Sequence, residues 1–157
     1  MFKVGIIGPE ATGKSSLAKY LAKRYHGTLV PEYAREYVER KGSLDVSYDE
    51  LCEIAKHQIE EIESICRLPS AFSFFDTELI ITKVWFDDVF GRVPEWLETA
   101  IQQYPMDVYL LTYPDLPWTQ DGARYNGDET KRMELFERYE AEIQALDIPY
   151  YIIKHTD

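Results

Sequence analysis

Gly8-Pro9-Glu10-Ala11-Thr12-Gly13-Lys14-Ser15 decides how this chain is read. The stretch fits the spacing G-x-x-x-x-G-K-S/T, in which each residue type has a physical job. The glycines let the backbone curl so that successive N–H groups face phosphate oxygens. A helix opening at Lys14 aims its positive end at the same anion. Lys14 adds a point charge at the β- and γ-phosphates, and the Ser15 hydroxyl is a ligand for Mg²⁺. Gly8, Glu10, Ala11, Thr12, Gly13, Lys14, Ser15 and Ser16 are therefore the candidate nucleotide-binding set, with ATP and Mg²⁺ as the implied cofactors.

Working outward, the loop lies between an apolar run, Phe2 to Ile7, and a helical pattern from Lys14 to about Tyr25. Strand and helix then alternate. Thr28 to Val30 reads as a short strand and Glu32 to Lys41 as a helix stopped by Gly42. Ser47 to Arg67 reads as a long amphipathic helix opened by a capping box, Ser47 with Glu50. Ala71 to Phe75 is an apolar run, interrupted by Ser73 and ending at Asp76, the pattern of a strand buried on both faces. Helices over Thr77 to Phe90 and Pro94 to Tyr104 follow, then a strand over Asp107 to Thr112. A loop over Tyr113 to Gly127, a helix over Asp128 to Leu146 and a strand over Pro149 to Lys154 complete the chain. Five strands joined by helices predict one α/β domain over 1–157, built on a parallel sheet with right-handed crossovers.

In such sheets, ligand groups lie beyond the carboxyl ends of the strands. Asp76 is so placed and suits Mg²⁺; it is also positioned to cap the next helix. Glu32 follows the second strand. Its carboxylate is suited to accept a hydroxyl proton, to hold a ribose, or simply to favour the first turn of a helix. Tyr33 and Arg35 lie within one turn of it and join the candidate substrate set; Arg35 equally suits a surface ion pair. Trp118, between prolines in a polar loop, is placed to stack on a flat ring. Arg124 and Arg132 bracket the start of the next helix, so residues 113–132 read as a lid that closes on the transferring phosphate.

The chain has 157 residues with 17 Lys plus Arg against 28 Asp plus Glu, a net charge of −11. That balance disfavours nucleic acid and anionic membranes as partners and favours the approach of a cationic or neutral small molecule. No apolar run is long enough to span a bilayer, and no secretory leader pattern is expected at the start. Cys52 and Cys66 fall on one helical pattern roughly 21 Å apart, beyond disulfide reach, which suits reduced thiols and a cytoplasmic protein. His26, His57 and His155 share no metal-binding spacing.

These motifs together resemble the ribosylnicotinamide kinase domain of the NadR type. The resemblance covers nearly the whole chain. It rests on the phosphate loop, Pro31-Glu32-Tyr33-Ala34-Arg35-Glu36-Tyr37, Phe75-Asp76-Thr77, Lys83-Val84-Trp85, and Leu110-Leu111 running into Pro117-Trp118 with Asp121-Gly122-Ala123-Arg124. It implies a P-loop kinase fold with strand order 2-3-1-4-5 and ATP-dependent phosphorylation of the 5′-hydroxyl of nicotinamide riboside. It further implies that Lys14 and Ser15 hold Mg²⁺·ATP and that Asp76 lies beside metal and hydroxyl. Trp118 and Asp121 would belong to the substrate side and Arg124 to the lid. Glu32 occupies the place of the catalytic carboxylate in the similar deoxynucleoside kinases; whether it or Asp76 takes the proton stays open, as does the oligomeric state. The alternatives are another nucleoside or small-molecule kinase, or an ATP-binding regulator. Larger family members carry DNA-binding and adenylyltransferase segments upstream, which are not expected here. Nor is the adenine-covering loop that usually follows the last strand.

Overall fold

A computed structural model describes residues 1–115 and 129–154. The elements are β1 (Phe2–Ile7), α1 (Lys14–Arg24), β2 (Thr28–Val30), α2 (Tyr33–Lys41), α3 (Tyr48–Ile65) and β3 (Phe72–Asp76). They continue with α4 (Leu79–Phe90), α5 (Glu95–Gln103), β4 (Val108–Thr112), α6 (Glu129–Leu146) and β5 (Tyr150–Ile153). The five strands form one sheet in the order β2-β3-β1-β4-β5, and every pairing is parallel. The expected P-loop kinase order is the order observed.

The strands alternate between two apolar layers because successive side chains point to opposite faces. Val4, Ile6 and Phe74 pack against Ala18 and Ala22 of α1. Ile7, Phe75, Tyr109 and Leu111 face the larger cluster formed with the other helices. Burying a side chain such as Phe75, 2% exposed, stabilises the fold by about 2–3 kcal/mol. The central strand β1 lies between β3 and β4, so the chain leaves it at a point where neighbouring connections run to opposite sides. That is where an open α/β sheet has a crevice, and the phosphate loop fills it.

Local chemistry sets the helix starts. The Ser47–Glu50 capping box is formed reciprocally, with Glu50 N donating to Ser47 Oγ at 3.1 Å and Ser47 N to Glu50 Oε1 at 3.0 Å. Pro94 caps α5 from one residue before its first turn. The start of α4 departs from the expectation. The helix begins at Leu79 rather than Thr77, and Glu78 is its cap, accepting from Ile80 N at 2.9 Å. Asp76 is therefore not the cap. Thr77 takes a left-handed backbone, φ 70°, which turns the chain sharply off the end of β3. Among the described residues, no helix is long and apolar enough to cross a membrane.

Candidate active site

The phosphate loop is a strained curl with two left-handed residues, Ala11 at φ 58° and Gly13 at φ 81°. Glycine meets that demand without a side-chain clash, while Ala11 carries a cost of about 1–2 kcal/mol. Gly8 is required for a different reason. A Cβ there would lie 2.0 Å from Thr112 Oγ1 and 2.8 Å from the Thr112 carbonyl, so the loop seats directly on the end of β4. The Thr12 hydroxyl reinforces that seat. It donates to the Pro9 carbonyl at 2.8 Å and accepts from Thr112 Oγ1 at 2.5 Å, whose single proton has the Ile7 carbonyl at 3.3 Å as its alternative acceptor. Thr12 still lines the loop's pocket with Glu10, Ala11, Gly13, Lys14 and Ser16, but its hydroxyl is committed to bracing.

Lys14 Nζ folds back onto the loop, donating to the Gly8 and Pro9 carbonyls at 2.9 and 3.2 Å. Ser15 Oγ donates to Asp76 Oδ2 at 2.6 Å, bringing together two residues 61 positions apart. Asp76 is 5% exposed, and its Oδ1 is buried without a hydrogen-bond partner. A buried carboxylate oxygen left unpaired costs several kcal/mol in the absence of a cation or ordered water. Hard oxygen donors from a hydroxyl and a carboxylate, one of them unsatisfied, fit Mg²⁺ well. The curl of N–H groups and the α1 N-terminus fit a polyphosphate.

Glu32 sits just before α2 without forming a side-chain cap. It occupies the helix start, as one reading expected, and the residue also lines the loop pocket and the adjoining cleft. Burial pushes its pKa up to about 7, with Asp76 and Glu10 adding to the rise and Lys14 and Arg35 opposing it. Solvent reaches part of this residue through the cleft, while its carboxylate is enclosed by protein. A carboxylate poised near neutrality beside a phosphate loop is suited to general-base work.

The cleft of about 640 Å³, including its open mouth, runs from the phosphate loop between α2, α4 and α6. Its polar end holds Gly8, Glu10, Lys14, Glu32, Arg35 and Thr77. The rest of its lining is mostly apolar, with Thr82 among it and two aromatic residues, Trp85 of α4 and Tyr139 of α6. Arg35 lines the cleft while its Nε bonds Glu39 at 3.2 Å, so the surface ion pair is formed by a residue at the cleft.

Tyr33 and Arg132, both expected near the site, are placed differently by the structure. Tyr33 turns away from the cleft and stacks on His57 of α3, with ring centroids 3.6 Å apart. Arg132 is 1% exposed within α6, and its Nη2 reaches the Ala11 carbonyl at 3.4 Å. It is a fixed neighbour of the phosphate loop because α6 is tied to α4 by ion pairs, among them Lys131–Asp88 at 2.5 Å and Lys83–Glu142 at 2.8 Å. Trp118, Asp121 and Arg124 lie outside the described residues.

Glu78 was not singled out by sequence, yet it is a buried carboxyl group just behind the site. It is 4% exposed, accepts from Ile80 N and from the Tyr109 hydroxyl, and burial pushes its pKa up to about 7. An unfolded glutamate loses its proton near 4.5. The folded chain thus holds a proton that the unfolded chain has released, and stability falls as pH rises between those values. The full loss is of order 3 kcal/mol. Glu78→Gln should abolish this part of the pH slope, whatever it does to absolute stability. Urea unfolding at about pH 5 and about pH 8 measures it, and an unchanged slope would show that Glu78 titrates normally.

The sequence model of the AAA domain family matches residues 3–157. The chain belongs to this family. Its curated relatives include two proteins that are each a trifunctional NAD biosynthesis/regulator protein NadR. The Escherichia coli (strain K12) protein is 29% identical over 134 residues, 83% of this chain and 33% of its own length. The Salmonella typhimurium protein is 26% identical over 157 residues, 98% of this chain and 38% of its own length. The chain thus spans little more than a third of these relatives. Among solved structures, a NadR protein in complex with NR superposes with a TM-score of 0.77 at 22% identity, covering 96% of this chain and 43% of that one. A deoxyadenosine kinase from M. mycoides gives 0.63 at 15% identity, covering 97% and 90%. These likenesses place this AAA domain in the fold of P-loop nucleoside kinases.

Proposed function

We propose that this AAA domain is an ATP-dependent kinase that phosphorylates the 5′-hydroxyl of nicotinamide riboside. The observation that carries the reading is the position of Glu32, shared between the phosphate-loop pocket and the cleft. A carboxylate there faces the γ-phosphate on one side and an acceptor hydroxyl on the other. The NadR relatives and the NadR complex with NR support nicotinamide riboside as the acceptor.

On this reading the loop N–H groups and Lys14 bind and orient the triphosphate. Ser15 and Asp76 hold Mg²⁺, which supplies charge neutralisation on the phosphates. Glu32 accepts the 5′-hydroxyl proton as that oxygen attacks the γ-phosphorus and the bond to the bridging oxygen breaks. The products are the 5′-phosphate and ADP. Arg132 keeps the loop curled through Ala11. Arg124 and Trp118, in the segment after β4, are assigned to the lid and the acceptor side by resemblance.

A nucleoside panel with Mg²⁺·ATP tests the substrate. Nicotinamide riboside should give the highest kcat/KM. A deoxynucleoside used better would replace the acceptor and leave the kinase class standing.

A further inference from the structure

We propose that Asp88, in the last turn of α4, is a positioning residue for the phosphate loop: it fixes where α6 lies along α4 and so holds the Arg132 guanidinium at the Ala11 carbonyl. The inference rests on the reading above that this loop binds the triphosphate, and deepens it. Ala11 is one of the two left-handed residues of the curl, with φ 58°. Alanine resists that backbone, so the conformation needs support from outside the loop. The Arg132 N–H that the Ala11 carbonyl accepts at 3.4 Å supplies it from 121 positions away. That support is only as well placed as α6 itself.

Apolar packing alone sets the register of two helices weakly, because ridges and grooves meet again after a slide of one turn. Charged pairs set it firmly, since the same slide breaks them. On α6, Lys131, Arg138 and Glu142 follow at spacings of seven and four, which brings them to one helix face. Each meets an opposite charge on α4. Lys131 Nζ lies 2.5 Å from Asp88 Oδ1, and Lys83 Nζ lies 2.8 Å from Glu142 Oε2. Arg138 reaches Asp87 Oδ2 at 2.5 Å and Asp88 Oδ1 at 3.5 Å. Early α4 thus meets late α6, and late α4 meets early α6, as an antiparallel ladder. Asp88 is its hub. It pairs with two cations of α6, and its side chain is 15% exposed against 55% for Asp87. Lys131 directly precedes Arg132, so the tie at Asp88 acts beside the guanidinium that reaches the loop. Ion pairs near solvent add little to stability; what these exclude is the slid arrangement, in which Arg132 would miss Ala11.

The test reads Mg²⁺·AMP-PNP binding by calorimetry, beside the melting temperature, in Asp88→Asn, Asp88→Glu, Arg132→Met and the double variant Asp88→Asn/Arg132→Met. Asp88→Asn keeps the size and removes the charge. It should raise the dissociation constant roughly three- to tenfold while the melting temperature stays within a few degrees. Asp88→Glu keeps the charge and should stay within about twofold of the unaltered chain. Arg132→Met should weaken binding at least as much as Asp88→Asn. Adding Asp88→Asn to it should change nothing further, because Asp88 acts through Arg132. Additive losses in the double variant, or an unchanged dissociation constant in Asp88→Asn, overturn the positioning role. Equal losses in Asp88→Asn and Asp88→Glu with a lowered melting temperature also overturn it. Should Arg132→Met not fold, hydrogen exchange of the Gly13 and Lys14 amides decides. Faster exchange there in Asp88→Asn, with the α3 amides unchanged, supports the role, and equal exchange overturns it. Binding is read without turnover. A chain that behaves as expected but phosphorylates no nucleoside therefore loses the kinase reading and keeps this inference, and a chain that does not bind the analogue loses both.

Discussion

Replacing Lys14 by alanine is expected to lower kcat at least roughly a hundredfold, the usual loss on deleting one charge aimed at a reacting phosphoryl group. The ammonium rests on the Gly8 and Pro9 carbonyls, both within the loop. It is thereby held at the loop, within which the triphosphate is proposed to bind. Lys14 is half-buried at the cleft and belongs to neither apolar cluster. The melting temperature should stay within a few degrees. Measuring turnover and melting together separates catalysis from folding. A variant that keeps turnover within a few fold would show that this loop is not where phosphoryl transfer occurs.

Glu32→Gln should remove a larger share, a hundred- to ten-thousandfold in kcat, with both KM values little changed. The pH dependence fixes the sign. A general base works as the carboxylate, and burial has raised the pKa of Glu32 to about 7. Acceptor kcat/KM should therefore climb as pH rises through that value and level off above it. The residual activity of the glutamine variant should lack this limb. Asp76→Asn should behave differently. Asp76 shares the Ser15 hydroxyl and presents a second, unsatisfied oxygen, so its loss should raise the Mg²⁺ concentration needed for half activity. If the Asp76 variant instead loses the pH limb and the Glu32 variant keeps it, the two roles must be exchanged.

Much of the site was legible because its chemistry is local. The phosphate loop is contiguous, and Asp76 ends an apolar run that only a doubly buried strand explains. The Ser47–Glu50 box marked the start of α3 to the residue. What was not legible depends on neighbours distant in sequence. Thr77 takes a left-handed backbone that no threonine prefers, imposed by the end of β3, and this moved the start of α4 by two residues. Trp85 lies on a helix face that looks the same in sequence whether it lines a cleft or fills a core. Lys131 and Arg132 are adjacent basic residues at a helix start, the pattern of a solvated face. Yet α6 turns one toward Asp88 and buries the other against the phosphate loop. The proposed division of roles between Glu32 and Asp76 needed three dimensions, since it rests on the contact between Ser15 and Asp76, 61 positions apart.

The most direct measurement of the central claim is the stoichiometry of products when the chain is mixed with Mg²⁺·ATP and nicotinamide riboside. The account predicts nicotinamide mononucleotide and ADP in equal amounts, with ADP formation depending on the riboside. ADP released at the same rate with or without the riboside, and no mononucleotide, would contradict it and make the chain an ATPase rather than a kinase.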